Sequence, residues 1–231
     1  MSETLTITTP DGVFSAYVAR PQATDAPAVV VIQEIFGVNT VMRDICDGLA
    51  AQGFVAICPD LFWRIEPGID ITDQSEAEWK RAFELFNAFD VDSGVTDIAA
   101  TIAAARALPG VSGKVGAVGY CLGGLLAFLT ATRTDADASI SYYGVGLEKH
   151  VGEADKLARP LLMHIAEKDQ FVPPEAQQVI LAALKDHPQI TIHTYEGRDH
   201  AFAREGGAHY DAADAAKANG RSLTFFNTHL A

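Results

Sequence analysis

The sequence predicts an α/β protein, a mostly parallel sheet of about seven or eight strands with helices on both faces. Three observations carry that expectation. Short β-branched runs alternate with longer amphipathic runs along the whole chain, the signature of successive strand–helix–strand units. Several short runs are apolar without alternation, such as AVVVI at 28–32 and VAIC at 55–58, as strands covered on both faces must be. The chain has 231 residues, 48% apolar and 20% charged. That is ordinary globular composition, enough for one domain over residues 1–231 and a little short for two independent cores.

The elements follow in order. Residues 4–8 and 13–19 read as a hairpin turned by Pro10-Asp11-Gly12, because proline and glycine supply the backbone angles a tight turn needs. Residues 28–32 are the first buried strand. Residues 42–52 have helical spacing and stop at Gly53, a usual helix terminator. Residues 55–58 form the next strand, closed by Pro59. Residues 75–89 and 91–108 are helical, the second rich in alanine and ended by Pro109-Gly110. Strands at 115–118, 140–143, 161–165 and 190–195 follow, with helices at 122–132 and 175–185 and a closing helix at 208–226.

Charge and composition exclude several classes of partner. Seventeen basic residues against thirty acidic ones leave a net charge of −13, which argues against nucleic acid and against anionic membrane surfaces. An anionic substrate would need its own local arginine or lysine. Met1-Ser2-Glu3-Thr4 lacks the basic and apolar regions of a secretory signal, and no uncharged apolar run approaches the roughly 18 residues of a membrane span. Three cysteines, at 46, 58 and 121, cannot build a disulfide framework. A cytoplasmic monomer acting on a small molecule is the expectation. No H-x-x-x-H or C-x-x-C spacing occurs, so neither a metal nor another cofactor is expected.

The chemistry points to one turn. Gly119-Tyr120-Cys121-Leu122-Gly123 lies between a predicted strand and a predicted helix and has the G-x-nucleophile-x-G form of a nucleophile elbow, with cysteine in the serine position. The turn is sharp and the nucleophile's backbone is strained, so glycine belongs on either side. The thiol stands at a helix N-terminus, whose dipole favours negative charge. The Leu122 N–H points where an oxyanion would develop. Asp169 follows the 161–165 strand, 48 residues after Cys121, and His200 follows the 190–195 strand 31 residues later. Glu34 follows the 28–32 strand. Parallel α/β sheets place ligands at the carboxyl ends of their strands, so these four side chains are expected at one sheet edge.

These residues resemble the dienelactone hydrolase family (carboxymethylenebutenolidases) of the α/β-hydrolase fold. The likeness covers nearly the whole chain. Its most specific stretches are Gln33-Glu34-Ile35-Phe36-Gly37-Val38-Asn39, Cys58-Pro59-Asp60-Leu61, the elbow within residues 116–129, Tyr142-Tyr143-Gly144-Val145-Gly146-Leu147-Glu148, and His200-Ala201-Phe202-Ala203-Arg204. The resemblance implies hydrolysis of dienelactone to maleylacetate in aromatic degradation, without metal or organic cofactor. It implies Cys121 as nucleophile, His200 as its base, Asp169 as the group orienting His200, and Glu34 as a carboxylate beside the thiol. The Ile35 and Leu122 N–H groups would form the oxyanion hole, and Arg204 would bind a substrate carboxylate. The family's second carboxylate-binding arginine falls at Trp79, with Lys80 and Arg81 adjacent but turned by about 100° per residue around the helix. Phe36, Trp79, Arg81 and Tyr142 complete the candidate substrate contacts.

Other reactive residues have ordinary readings. Cys46 and Cys58 are expected in the core. His164 and His193, inside strands, are expected as core or solvent-facing residues. His150, His187, His209 and His229 need no role, and Glu148 is structural. Two other functions stand beside the lactone hydrolase. One is an esterase or thioesterase of the same fold acting on a neutral substrate, which Trp79 encourages. The other is a non-catalytic receptor, which has no need of the complete Cys121, Asp169, His200 set. A dinucleotide or flavodoxin-like site is excluded, because an acid, Glu34, stands where a phosphate loop would follow the first parallel strand.

Overall fold

The computed structural model describes residues 2–230. The chain forms β1 (Ser2–Thr9), β2 (Gly12–Ala19), β3 (Ala26–Ile32), α1 (Thr40–Ala51), β4 (Val55–Pro59), α2 (Glu76–Ala88), α3 (Val91–Arg106) and β5 (Val111–Tyr120). It continues through α4 (Leu122–Arg133), β6 (Ala138–Tyr142), β7 (Leu161–Ala166), α5 (Pro174–Leu184), β8 (Ile190–Tyr195) and α6 (Ala212–His229). The eight strands run in the order β1-β2-β4-β3-β5-β6-β7-β8. β1 with β2 and β2 with β4 are antiparallel, whereas β3 with β4, β6 with β7 and β7 with β8 are parallel. The mostly parallel α/β sheet read from the sequence is the sheet that forms. Among the described residues no helix is long and apolar enough to cross a membrane.

The chain packs as two compact units, one ending at Gly116 and one starting at Ala117. In the first, the 28–32 run is fully buried, which is why its sequence shows no alternation. Its helices start where short polar side chains accept a first-turn amide: Asn39 from Met42 at 3.2 Å and Asp90 from Ser93 at 2.7 Å. Each supplies an acceptor for an amide that the helix itself leaves unpaired. A buried carboxylate ties α3 to the turn after β4. Asp97 receives both guanidinium nitrogens of Arg64, at 3.0 and 2.8 Å, and the indole N–H of Trp63 at 2.8 Å.

In the second unit, α4 is buried from Leu122 to Thr132, so it is apolar on all sides rather than amphipathic. His164, on β7, lies in a chain of side-chain hydrogen bonds. Arg221 donates to the Tyr195 hydroxyl at 3.1 Å, and Tyr195 meets His164 Nδ1 at 2.8 Å. The Nε2–H of His164 then donates to Ser222 at 2.9 Å, Ser222 to Tyr142 at 2.7 Å, and Tyr142 to Asn219 at 2.9 Å. Burial, with His193 and Arg221 nearby, pushes the His164 pKa down to about 3. It is therefore a neutral core histidine, the reading its strand position suggested.

The differences from the sequence reading have local causes. β5 starts at Val111 rather than 115, because its first half is exposed and carries no apolar run. β6 ends at Tyr142, since Tyr143 has φ of 39° and cannot continue a strand. α6 starts at Ala212 rather than 208, where Asp211 accepts the Asp214 amide at 3.0 Å, and it runs on to His229. Two short 3-10 turns, Leu147–Lys149 and Val151–Lys156, are too brief for a periodic signal to reveal.

Candidate active site

Cys121 sits between β5 and α4 with φ 58° and ψ −115°, a conformation that non-glycine residues reach only when their surroundings force it. Two contacts force it here. The Cys121 N–H donates to the Tyr142 carbonyl at 3.1 Å, and its own carbonyl receives Gly124 and Val145. The glycines permit the approach. A Cβ on Gly119 would lie 1.8 Å from the Gly123 carbonyl oxygen, and one on Gly124 would lie 2.4 Å from that of Tyr142. The thiol makes no capping hydrogen bond to α4. Leu122 is the first helical residue, so its N–H has no intrahelical acceptor.

Asp169 follows β7 and is nearly inaccessible, its side chain 1% exposed. Its Oδ1 accepts the Phe171 and Val172 amides, which fixes the carboxylate. Both carboxylate oxygens then meet His200 Nδ1, at 3.0 and 2.9 Å, so this nitrogen carries the proton. Asp199 holds the backbone beneath, accepting the amides of His200 and Gln170 at 2.6 and 3.1 Å. The His200 ring is held between the edges of Tyr143 and Phe171, with centroids 5.0 and 4.9 Å away.

His200 Nε2 is buried and closes no hydrogen bond of good geometry, yet the ring interacts with Cys121. The contact is too long or too bent for a formed bond, as resting contacts between a base and its nucleophile often are. Burial opposes charge on the imidazole, but negative charge at Cys121 and the bond to Asp169 outweigh it and hold the His200 pKa up at about 10. The structure thus brings Cys121, Asp169 and His200 together within the second unit. Arg204 lies one turn past His200, half-buried, its N–H donating to the Ala201 carbonyl at 2.9 Å.

Tyr142 is a correction. It has no exposed surface, and its hydroxyl is taken by Asn219 and Ser222, so it cannot touch a substrate. Its neighbour Tyr143 turns out of the strand and meets the His200 ring instead. Phe171 is a neighbour of His200 that sequence reasoning missed. Its one sequence signal is its place two residues after Asp169, in the loop that closes over the base.

In the first unit, Glu34, Ile35 and Phe36 are buried in the turn after β3, and Leu61 N–H binds Gln33 beside them at 3.0 Å. Trp79 packs its ring edge-on to Phe36 at 5.2 Å and flat on Phe83 at 5.6 Å, with its indole N–H on the Asp73 carbonyl. Arg81 is occupied by Glu66 and Glu84 at the surface. Its charge is spent on its own neighbours, which corrects its assignment as a substrate contact. Among the described residues no group of three or more His, Cys, Asp or Glu side chains is placed to hold a metal ion.

Residues 14–230 match the profile of the dienelactone hydrolase family. A protein of Azospirillum brasilense, provisionally named a carboxymethylenebutenolidase, is 56% identical over 95% of both chains. The carboxymethylenebutenolidase of Pseudomonas putida is 43% identical, covering 97% of this chain and 96% of that one. A crystal structure of a provisionally named dienelactone hydrolase from Klebsiella pneumoniae superposes with a TM-score of 0.86 at 27% identity over 98% of each chain.

Proposed function

The chain belongs to the dienelactone hydrolase family, and from that premise we propose that it opens a carboxylate-bearing enol-lactone through a thioester on Cys121. It is a carboxylic ester hydrolase of the dienelactone type. The observation that best supports the finer reading is the buried Asp169–His200 pair interacting with Cys121 at the strained elbow.

The chemistry follows from the groups present. The Cys121 sulfur attacks the lactone carbonyl carbon, forming C–S. The family resemblance gives the oxyanion to the amides of Leu122 and Ile35, each worth about 3 kcal/mol by analogy with other acyl-transfer sites. The ring C–O bond breaks and its oxygen leaves as an enolate, which takes up the proton lost by the Cys121 thiol and becomes the ketone. With the sulfur acylated, no negative charge faces the His200 ring and the imidazole is neutral. It then removes a proton from water as the oxygen attacks the thioester. The C–S bond breaks, the acid is released, and sulfur and imidazole return to their starting state.

The family resemblance gives Glu34 a restraining role: a carboxylate beside a thiol disfavours the thiolate. The expected result is slow iodoacetamide alkylation of Cys121 at neutral pH in the free protein. It should be faster in Glu34→Gln, or with a carboxylate analogue bound that leaves the thiol accessible. Fast alkylation of the free wild type at pH 7 would end this part of the reading.

Arg204 is the proposed anchor for the substrate carboxylate. A hydrogen bond to a charged group contributes about 1.5–3 kcal/mol. Arg204→Ala is therefore expected to lower kcat/KM for cis-dienelactone about ten- to hundredfold and to leave p-nitrophenyl acetate, a neutral ester, nearly unchanged. Equal losses on both substrates would make Arg204 structural. The Trp79–Phe36 contact and the occupied Arg81 favour a second reading, a neutral ester or thioester substrate. That reading takes first place if Arg204→Ala costs nothing on either substrate.

A further inference from the structure

A second feature of the unit that begins at Ala117 lies away from the strand ends. A groove of about 520 Å³ runs between α6 and the face of β7 and β8, with Leu162 and Phe225 among its apolar lining. Cationic side chains gather at one end of it. Lys217 and Arg221 stand over the Tyr195 ring, at 6.0 and 5.5 Å from its centroid, and His193 lines the same groove. At the other end His229 packs against Phe225 with centroids 4.6 Å apart.

This clustering is unusual for a chain of net charge −13. Arg20, Arg43, Arg64, Arg81, Arg133 and Arg198 each bind a carboxylate. Among the described residues Lys217, Arg221 and His193 bind none. Asp214, on the same helix, is taken by Arg198 at 3.1 Å. Burial, with Arg221 and Lys217 close by, lowers the His193 pKa, so its ring can offer an N–H to an anion but adds no charge of its own. Arg221 is fixed in place by its bond to Tyr195, so little side-chain entropy remains to be lost on gripping an anion.

We propose that this groove binds an organic carboxylate, its head held by Arg221, Lys217 and His193 and its flat apolar body lying over Leu162 and Phe225. A planar guanidinium matches a carboxylate with two parallel bonds, and the apolar lining favours an aromatic body over a bare inorganic anion. The groove has the volume of a small-molecule site. It is separate from the proposed hydrolytic site, so its failure and the failure of that reading are independent.

The test is a titration of the full-length, isotope-labelled protein with benzoate, followed at the amides of Thr191, Gly220 and Phe225. Saturable shifts at these amides are expected, with no such shifts from benzyl alcohol. Binding should weaken about tenfold or more in Arg221→Ala, the loss of one charge-assisted bond, and also in Lys217→Glu. Lys217 is exposed, so its variant keeps the test alive if Arg221→Ala disturbs the Tyr195 contact. Shifts that never saturate, or affinity as high in both variants as in the wild type, would overturn the proposal. So would broadening that grows with protein concentration without benzoate and vanishes in Lys217→Glu, because the groove would then hold a second copy of the chain.

Discussion

Cys121→Ala is expected to abolish turnover, by at least about 10⁴-fold in kcat, while the protein remains folded. No other group can replace the sulfur. Cys46 and Cys58 are fully buried in the other unit, and no serine or threonine stands at the elbow. The strained backbone at 121 is imposed by its hydrogen bond to the Tyr142 carbonyl and by those it accepts from Gly124 and Val145, which an alanine keeps. The measurement is kcat on cis-dienelactone and on p-nitrophenyl acetate, beside a thermal melt of the same sample. Cys46→Ala and Cys58→Ala serve as controls, retaining activity and losing about 1 kcal/mol of stability through packing. Wild-type rates from Cys121→Ala would remove the cysteine mechanism altogether.

Gly119→Ala is expected to prevent stable folding. The added methyl would stand 1.8 Å from the Gly123 carbonyl oxygen and 2.3 Å from its carbon. Both are backbone atoms in the first turn of α4, a helix buried along its length, so neither side of the clash can retreat. The expected cost exceeds about 4 kcal/mol, a large part of the 5–15 kcal/mol typical of a whole domain. Gly48→Ala in α1 is the matched control, since nothing lies within 4 Å of its Cβ position. Alanine there is expected to stabilise by about 0.5–1 kcal/mol. Urea unfolding of the two variants checks the pair, and a Gly119→Ala protein as stable as wild type would mean the elbow is looser than its contacts imply.

The legible parts of this chain were those written in local sequence. Buried strands announce themselves as apolar runs, and the elbow as two glycines around a nucleophile. Asp169 and His200 stand out because each follows a parallel strand, where such sheets place their chemistry. What could not be read depends on long-range contact or on a single backbone angle. Alternation gives no reason to prefer Tyr143 over Tyr142 beside His200; the positive φ at 143 decides it. Arg81 looks available until Glu66 and Glu84 are seen on it. The partners of His164 come from positions 31 and 58 residues away, beyond any periodic window. The mostly parallel sheet of about seven or eight strands was legible because it rests on pattern, whereas the strand order β1-β2-β4-β3-β5-β6-β7-β8 rests on long-range pairing.

The chain of bonds from Arg221 through Tyr195, His164, Ser222 and Tyr142 to Asn219 also constrains how this sequence can drift. Every hydroxyl in it passes its proton in one direction, because Tyr142 gives its single proton to Asn219 and each group before it must then donate in turn. A change at any interior position strands a buried donor on one side and an acceptor on the other, at a cost of about 1–3 kcal/mol for each. Phenylalanine at 195 deprives His164 of a donor, and alanine at 222 unpairs both His164 and Tyr142. Descendants of this chain therefore escape the arrangement by concerted replacement, polar set for apolar set, more readily than by single steps. Residues 142, 164, 195 and 222 should vary together across generations.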